Sequence, residues 1–173
     1  MAVEIKLFEQ GGAEYTDEGI AAKDLRDLFH GYFQERNEVN GSIYIIPSVQ
    51  IYGQNVRDID LVVMGQFDNL YFDGMNTRQG EGRNLKVSSF LVNIELKSMP
   101  EYRIKLVGSD YIVSYENTNK HNASEQCRKA KYALLNHIKE QLRYDPFVVD
   151  LLWFKSLTLA NLTAIRNGRI DNA

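Results

Sequence analysis

The stretch "VRDIDLVVMG" (residues 56–65) sets two aspartates, the second of them Asp60, in an apolar run that has the character of a core strand. The stretch "FLVNIELKS" (residues 90–98) interrupts a second apolar segment in the same way, with Glu95 and Lys97. A buried carboxylate or ammonium costs free energy unless it is paired or holds a metal. The two stretches therefore predict a pair of strands that carries a functional site.

The composition bounds the class of protein. The chain has 173 residues, 44% hydrophobic and 25% charged, which fits one soluble domain, residues 1–173, with a sizeable core. Its net charge of −3 gives no overall basic character, so any contact with nucleic acid has to be local. The single cysteine, Cys127, excludes an internal disulfide and a cysteine-based zinc site, and we expect it to be a small buried hydrophobe. Since the sequence shows neither a signal peptide nor a membrane-length apolar run, we expect a cytoplasmic protein without membrane contact; its oligomeric state is open.

Hydrophobic periodicity predicts a helix, several strands, a second helix and a last strand, which is an α/β fold with a mixed β-sheet flanked by α-helices. The first helix is expected to start at Thr16 and to carry, mostly on one apolar face, Ile20, Leu25, Leu28, Phe29, Tyr32 and Phe33. The second is expected to start at Asn122, with an apolar stripe of Cys127, Ala130, Leu134, Ile138 and Leu142. Expected strands include 56–65, ended by Gly65, and the nearly continuous apolar segment 147–154, which favours the buried centre of the sheet.

The charged residues of the two central strands point to a metal site. Glu95 and Lys97 share one face of a strand, roughly 7 Å apart, and Asp60 can face Glu95 if the two strands are neighbours. Two carboxylates and the backbone carbonyl of Leu96 would then offer hard oxygen ligands, which suit Mg²⁺ or Mn²⁺. Lys97 would orient or deprotonate a water there, or stabilise charge on a phosphate. Such a set serves the hydrolysis of a phosphodiester bond.

An Asp on one strand, followed by Glu-x-Lys on the next, resembles the PD-(D/E)xK nuclease superfamily, and more narrowly its nuclease-related domain (NERD) subgroup. The motifs that carry the resemblance are "DIDLVVMG", "NIELKS" and "ASEQCRKAKYAL", and their order agrees with the family over roughly residues 14–154. The resemblance implies a restriction-endonuclease-like fold and Mg²⁺- or Mn²⁺-dependent hydrolysis of nucleic acid, with DNA as the expected substrate. The catalytic residues that it implies are Asp60, Glu95, Lys97, Gln126 from the second helix and Glu18 from the first.

The spacing departs from the family in one respect. Asp60 and Glu95 are 35 positions apart (95 − 60), where the resemblance implies a short turn, so residues 67–89 are expected to be an insertion that extends a loop and strands near the site. The resemblance also implies a partner, because NERD-like domains resemble modules that are often joined to helicase or kinase domains. We therefore expect a fused or associated helicase or ATPase. Within these 173 residues no phosphate-binding G-x-x-x-x-G-K-[ST] motif occurs. We expect the chain to be either the N-terminal part of a longer protein or a small stand-alone protein, and the sequence leaves both open.

Contact with phosphates is expected from cations on the second helix, Arg128, Lys129 and Lys131, and from Arg78 and Arg83 in the polar loop between the strands. A helix surface with three cations is also commonly just solvated. Other residues have similar alternatives. Asp60 could pair with Lys97 without a metal, and Gln126 could be an ordinary exposed helix residue. Glu18 could merely favour the first turn of its helix, and its rivals for the site are Asp17 and Glu14.

Two other functions remain open from the sequence. One is a catalytically inactive module that binds nucleic acid with the same fold. The other is a protein-interaction domain that uses some of the ten tyrosines as contact surface.

Overall fold

The computed structural model describes residues 3–8, 15–56, 58–75, 82–115 and 119–168. Within these residues the chain forms eight strands and three helices, with one 3-10 turn at Glu101–Arg103. In chain order, the elements are β1 (Val3–Leu7), α1 (Asp17–Gln34), β2 (Gly41–Gln50), β3 (Asp58–Met75), β4 (Gly82–Lys97), β5 (Ile104–Val107), β6 (Asp110–Ser114), β7 (Lys120–Asn122), α2 (Ala123–Leu142), β8 (Val149–Phe154) and α3 (Leu159–Arg166).

A mixed five-stranded sheet, in the order β1-β2-β3-β4-β8, forms the centre of the molecule. The outer pairs β1–β2 and β4–β8 are parallel, and the two inner pairs are antiparallel. Helix α1 packs with Leu61 and Val63 of β3 on one face, while α2 packs with Val62 on the other. A second, antiparallel sheet of β5, β6 and β7 lies beside α2. The predicted α/β fold with a mixed sheet flanked by helices is confirmed.

Helix α1 begins as predicted, because the Thr16 side chain accepts a hydrogen bond from the Gly19 N–H at 3.1 Å. Its buried stripe is centred on Ala21 and Ala22, and it continues through the partly buried Leu25, Phe29 and Tyr32 to Phe33. The expectation for Ile20 and Leu28 is wrong, since they are 43% and 64% exposed. Each precedes a stripe residue by one position and so points about 100° away from it.

The predicted end of the strand at Gly65 is also wrong, because β3 runs on to Met75. Gly65 lies opposite Phe90 on β4, and the phenyl ring occupies the place of the missing side chain. A Cβ at Gly65 would lie 2.6 Å from that ring. The glycine therefore makes room for an aromatic side chain on the neighbouring strand and does not terminate β3.

Residues 67–75 and 82–89 extend the hairpin of β3 and β4, beyond an irregularity in register between Gln66 and Leu70. Asp60 lies at the beginning of β3, and Glu95 lies near the end of β4. The extension runs from the opposite end of both strands, so its expected position near the site is wrong.

Strand β8 lies at an edge of the sheet, so its expected position at the buried centre is wrong. Val149 and Leu151 are 41% and 47% exposed on one of its faces. Helix α1 packs against β1, β2 and β3 and does not extend over β8. The face of β8 that carries Val149 and Leu151 is therefore not covered by this helix.

Helix α2 begins as predicted with the Asn122 side chain, which accepts a hydrogen bond from the Glu125 N–H at 2.8 Å. Cys127, Ala130 and Leu134 are buried as expected. Leu142 is 71% exposed, because the helix ends there and Arg143 turns into the left-handed conformation with φ 52°.

Candidate active site

The first part of the candidate site is the end of the β3–β4 ladder. Leu61 pairs with Ile94, so Asp60 and Glu95 are the next residues outward on the two antiparallel strands. The Asp60 Oδ2 atom accepts a hydrogen bond from the Leu96 N–H at 2.8 Å. The Asp60 carboxylate thus accepts the hydrogen bond that a backbone carbonyl of β3 would accept in a regular ladder. This bond to Leu96 holds the carboxylate beside Glu95.

The second part is a buried ion pair on β4. The Lys97 Nζ atom lies 2.6 Å from the Glu95 Oε1 atom, and the two residues are only 6% and 3% exposed. Lys97 also donates to the Gln126 Oε1 atom on α2 at 3.4 Å. The fold therefore brings Asp60, Glu95, Lys97 and Gln126 into one cluster. Strand parity predicts this for the first three residues, and the family resemblance implies it for Gln126.

Helix α1 contributes acids to the margin of this cluster. The Ser98 hydroxyl donates to Asp17 at 2.9 Å and ties the start of α1 to the end of β4. This contact leaves Glu18 close enough to Asp60 for its charge to act on that carboxyl group. Of the three candidates in this region, Glu18 is the one in electrostatic contact with Asp60, Asp17 serves the link to Ser98, and Glu14 lies outside the described residues.

Burial dominates the electrostatics of the cluster. Desolvation raises the pKa of Asp60, against the opposing effects of the Leu96 N–H and Lys97, and Glu18 raises it further. Desolvation likewise raises the pKa of Glu95, against its bond to Lys97, and the charge of Asp60 adds to the rise. Burial would lower the pKa of Lys97, but the hydrogen bond and charge of Glu95 outweigh it, so the net shift is upward. Lys97 therefore stays an ammonium at neutral pH, flanked by two acids that ionise less readily than usual.

The donor set fits a hard divalent cation. Each carboxylate has about four lone-pair sites on two oxygens, so Asp60 and Glu95 keep acceptor capacity beyond their bonds to Leu96 and Lys97. The N–H and C=O of a strand residue point to the same side, so the Leu96 carbonyl also faces Asp60. In the described part of the chain no three His, Cys, Asp or Glu residues converge closely enough to hold a metal by themselves. Mg²⁺ commonly binds one or two carboxylates and keeps several waters, so Asp60 and Glu95 are the residues that could hold it.

The predicted phosphate contacts on α2 are all neutralised by acids. The pairs, with N···O distances of 3.0, 2.8 and 2.9 Å, are Arg128–Asp110, Lys129–Glu125 and Lys131–Asp150. The local positive charge is therefore smaller than the sequence of the helix suggests.

Of the two cations expected from the loop, only the backbone of Arg83 is described, and it lies far from the cluster. Arg78 lies outside the described residues. The backbone of Arg83 pairs with Gly74 on the hairpin extension, twelve residues along β4 from Glu95. At about 3.4 Å per residue that is up to about 40 Å from the candidate site.

Sequence reasoning missed Asn93, which shares the strand face of Glu95 and Lys97 and is completely buried. Its Nδ2 atom donates to the Cys127 carbonyl at 3.1 Å and so clamps β4 to the first turns of α2. Its Oδ1 atom has no hydrogen-bond partner among the described residues. Cys127 is buried as expected, and burial raises the pKa of its thiol to about 11. The alternation Asn93, Glu95, Lys97 was the signal that would have found this clamp.

Tyr115 was also missed. It lies just after β6, within electrostatic range of the Lys97 ammonium. No feature of the sequence around Tyr115 indicates this position, because it depends on how the second sheet docks against α2.

The chain was compared with protein-family models, with curated proteins and with solved structures, and none of them matches it significantly. Among the described residues, no helix combines the length and the apolarity that crossing a membrane requires.

Proposed function

We propose that the chain is a metal-dependent nuclease that hydrolyses phosphodiester bonds of nucleic acid, with DNA as the expected substrate. The observation that carries the proposal is the buried Glu95–Lys97 pair beside the Asp60 carboxylate. A buried ion pair is often no more stable than apolar side chains of the same volume. A pair with a second acid next to it is therefore better explained by chemistry than by stability.

The finer fold assignment, a restriction-endonuclease-like core, belongs to the same proposal. It is supported by the order α1, β2, β3, β4, α2, β8 around a mixed sheet. It is also supported by the positions of Asp60 on β3, Glu95 and Lys97 on β4 and Gln126 on α2, which agree with the NERD-like motifs.

Each residue of the cluster has a distinct task in the proposed reaction. Asp60, Glu95 and the Leu96 carbonyl would hold one Mg²⁺ or Mn²⁺, with Glu18 at the margin. A bound ion of this kind polarises a phosphoryl oxygen and makes a water more acidic. The Lys97 ammonium stabilises negative charge that develops on the phosphate, and Glu95 and Gln126 hold it in place. Because the pKa of Lys97 is raised, charge stabilisation fits it better than proton abstraction does.

The proposal is tested by cleavage of end-labelled DNA and RNA, each single- and double-stranded, in Mg²⁺, Mn²⁺ or EDTA. We expect cleavage that requires the divalent ion. Lys97→Met should reduce the rate by about 10²- to 10³-fold, as is typical when one group that stabilises transition-state charge is removed. Lys139→Met is the matched control, since Lys139 is an exposed lysine paired with Asp145 on the surface. Cleavage that persists in EDTA, or equal rates for the two lysine variants, would contradict the proposal.

One observation favours a second candidate, a protein-interaction module. Apolar side chains are exposed on and just before the edge strand β8. Leu151 on the strand is 47% exposed, and Phe147, two residues before the strand, is 84% exposed. A module of this kind gives no reason for two acids to bind a cation. Mg²⁺ or Ca²⁺ should therefore raise the melting temperature if the nuclease proposal holds, and should leave it unchanged if the site is only structural.

A further inference from the structure

A pair of aromatic residues lies near the start of α2, the helix that contacts the proposed site through Gln126. Strand β6 ends at Ser114, and the Tyr115 N–H donates to the Asn119 carbonyl at 3.1 Å, next to the start of β7 at Lys120. Strand β7 then passes directly into α2, whose first turn carries Gln126 above Lys97. Tyr115 and Asn119, at the ends of β6 and β7, are thus held beside the same helix start that contacts the cluster.

The rings of Tyr115 and His121 form this pair. Their centroids are 5.0 Å apart and their planes are perpendicular. His121 immediately precedes the Asn122 cap of α2, and the charge of Tyr115 acts on the Lys97 ammonium. The pair therefore lies on the side of the molecule where Gln126 of α2 meets Lys97.

The contact with His121 leaves at least one ring face of Tyr115 without an aromatic partner. In a perpendicular contact either the His121 edge meets one face of Tyr115 or the Tyr115 edge meets the face of His121. In both cases His121 leaves at least one face of the tyrosine ring uncovered. Tyr115 is 42% exposed, which agrees with an open face.

We propose that Tyr115, supported by His121, is a stacking platform for an unpaired nucleobase beside the proposed catalytic cluster. This inference rests on the proposed nuclease function. A nucleoside is the group attached to any phosphate that reaches Lys97, and an exposed aromatic ring offers about 1–3 kcal/mol of stacking to a base. The face of a paired base is covered by its neighbours in a duplex, so only a single strand or a frayed end can use the platform. The substrate is therefore single-stranded, or a duplex end that opens.

The test measures binding in Ca²⁺, which replaces Mg²⁺ without supporting hydrolysis. The probes are a short single-stranded DNA that carries 2-aminopurine, whose fluorescence is quenched on stacking, and a blunt duplex of the same sequence. The variants are Tyr115→Leu, Tyr115→Phe and a control, Tyr71→Leu. Tyr71 is 54% exposed on the hairpin extension, eleven residues along β3 from Asp60 and so about 35 Å away.

We expect Tyr115→Leu to weaken binding of the single strand roughly 5- to 150-fold and to abolish the fluorescence quenching. Tyr115→Phe should keep both within about twofold, because it retains the ring. Tyr71→Leu should behave as the unchanged protein, and the duplex should bind more weakly than the single strand. The platform is disproved if Tyr115→Leu and Tyr71→Leu bind alike, or if Tyr115→Phe loses as much as Tyr115→Leu.

The two proposals fail in different ways. If the unchanged protein cleaves DNA with Mg²⁺ but Tyr115→Leu binds normally, only the platform is wrong. If the unchanged protein neither binds nor cleaves any strand, the nuclease proposal and the platform are both overturned.

Discussion

Replacing Lys97 by methionine should destabilise the fold through the acid that it leaves behind. Glu95 is 3% exposed and its Oε1 atom lies 2.6 Å from the Lys97 ammonium. Removing one partner of a buried pair typically costs about 3–5 kcal/mol. We expect about 3 kcal/mol, the lower end of that range, because Gln126 is exposed and Asp60 is only half-buried, so water can approach the orphaned carboxylate. For a chain of this length such a loss lowers the melting temperature by about 6–12 °C.

The sign of the pH dependence follows from Glu95. Its pKa is already raised above the ordinary value of 4.5, mainly by burial, and it rises further once the lysine is gone. The unpaired Glu95 carboxylate therefore has its full destabilising effect when the pH is above the pKa of Glu95 in the folded variant. The loss in the free energy of unfolding becomes smaller as the pH falls towards the pKa of Glu95 in the unfolded chain. At such pH values the folded variant keeps Glu95 protonated and neutral. The deficit relative to the unchanged protein should thus be larger at pH 7 than at pH 4.

A double-mutant cycle separates this cost from catalysis. Urea unfolding should place Glu95→Gln/Lys97→Met within about 1 kcal/mol of the unchanged protein, because no buried charge is left unpaired. The double variant should nevertheless be inactive. The reasoning is refuted if Lys97→Met is as stable as the unchanged protein at pH 7, or if the double variant is no more stable than the single one.

Three further predictions concern other parts of the molecule. Asp60→Asn should raise the free energy of unfolding at pH 7 by about 0.5–2 kcal/mol, as isosteric changes at functional sites commonly do. Because the pKa of Asp60 is raised above 3.8, urea titrations at lower pH should show that this gain vanishes below pH 3.8. Gly65→Ala should cost about 1–3 kcal/mol, because its Cβ would lie 2.6 Å from the Phe90 ring, and adding Phe90→Leu should recover part of the loss in thermal melts; strictly additive losses would contradict this packing. Joint charge reversal of Arg128, Lys129 and Lys131 should weaken binding of every DNA sequence by a similar factor that shrinks at high salt, and a salt-independent effect would show that these cations do not contact phosphates.

The candidate site could be predicted from the sequence because its pattern is local. Glu95 and Lys97 are two residues apart, so alternation places both on one face of β4. Asp60 joins them because β3 and β4 are neighbours with Leu61 opposite Ile94, a pairing that had to be assumed from the sequence. The helix starts at Thr16 and Asn122 were predictable for the same reason, since a capping side chain bonds within three residues of itself.

The errors concern features that depend on distant parts of the chain. The apolar run of β8 reads as a central strand, but its place at the sheet edge depends on which strands pair with β4. Gly65 reads as a strand end, and only the opposing Phe90 shows why a glycine is needed there. The position of Tyr115 within electrostatic range of Lys97 depends on how the second sheet docks, which no local pattern encodes.

Cleavage by the Asp60→Asn variant is the most direct test of the proposed site. The asparagine keeps the shape of the side chain and an oxygen that can accept the Leu96 N–H, but it loses the charge that a divalent cation needs. With Mn²⁺ and a labelled single-stranded DNA, the unchanged protein should release fragments, and the folded Asp60→Asn variant should release none. Fragment release by both proteins at the same rate, or by neither in any divalent ion, would contradict the assignment of Asp60 and Glu95 as a shared metal site for phosphodiester hydrolysis.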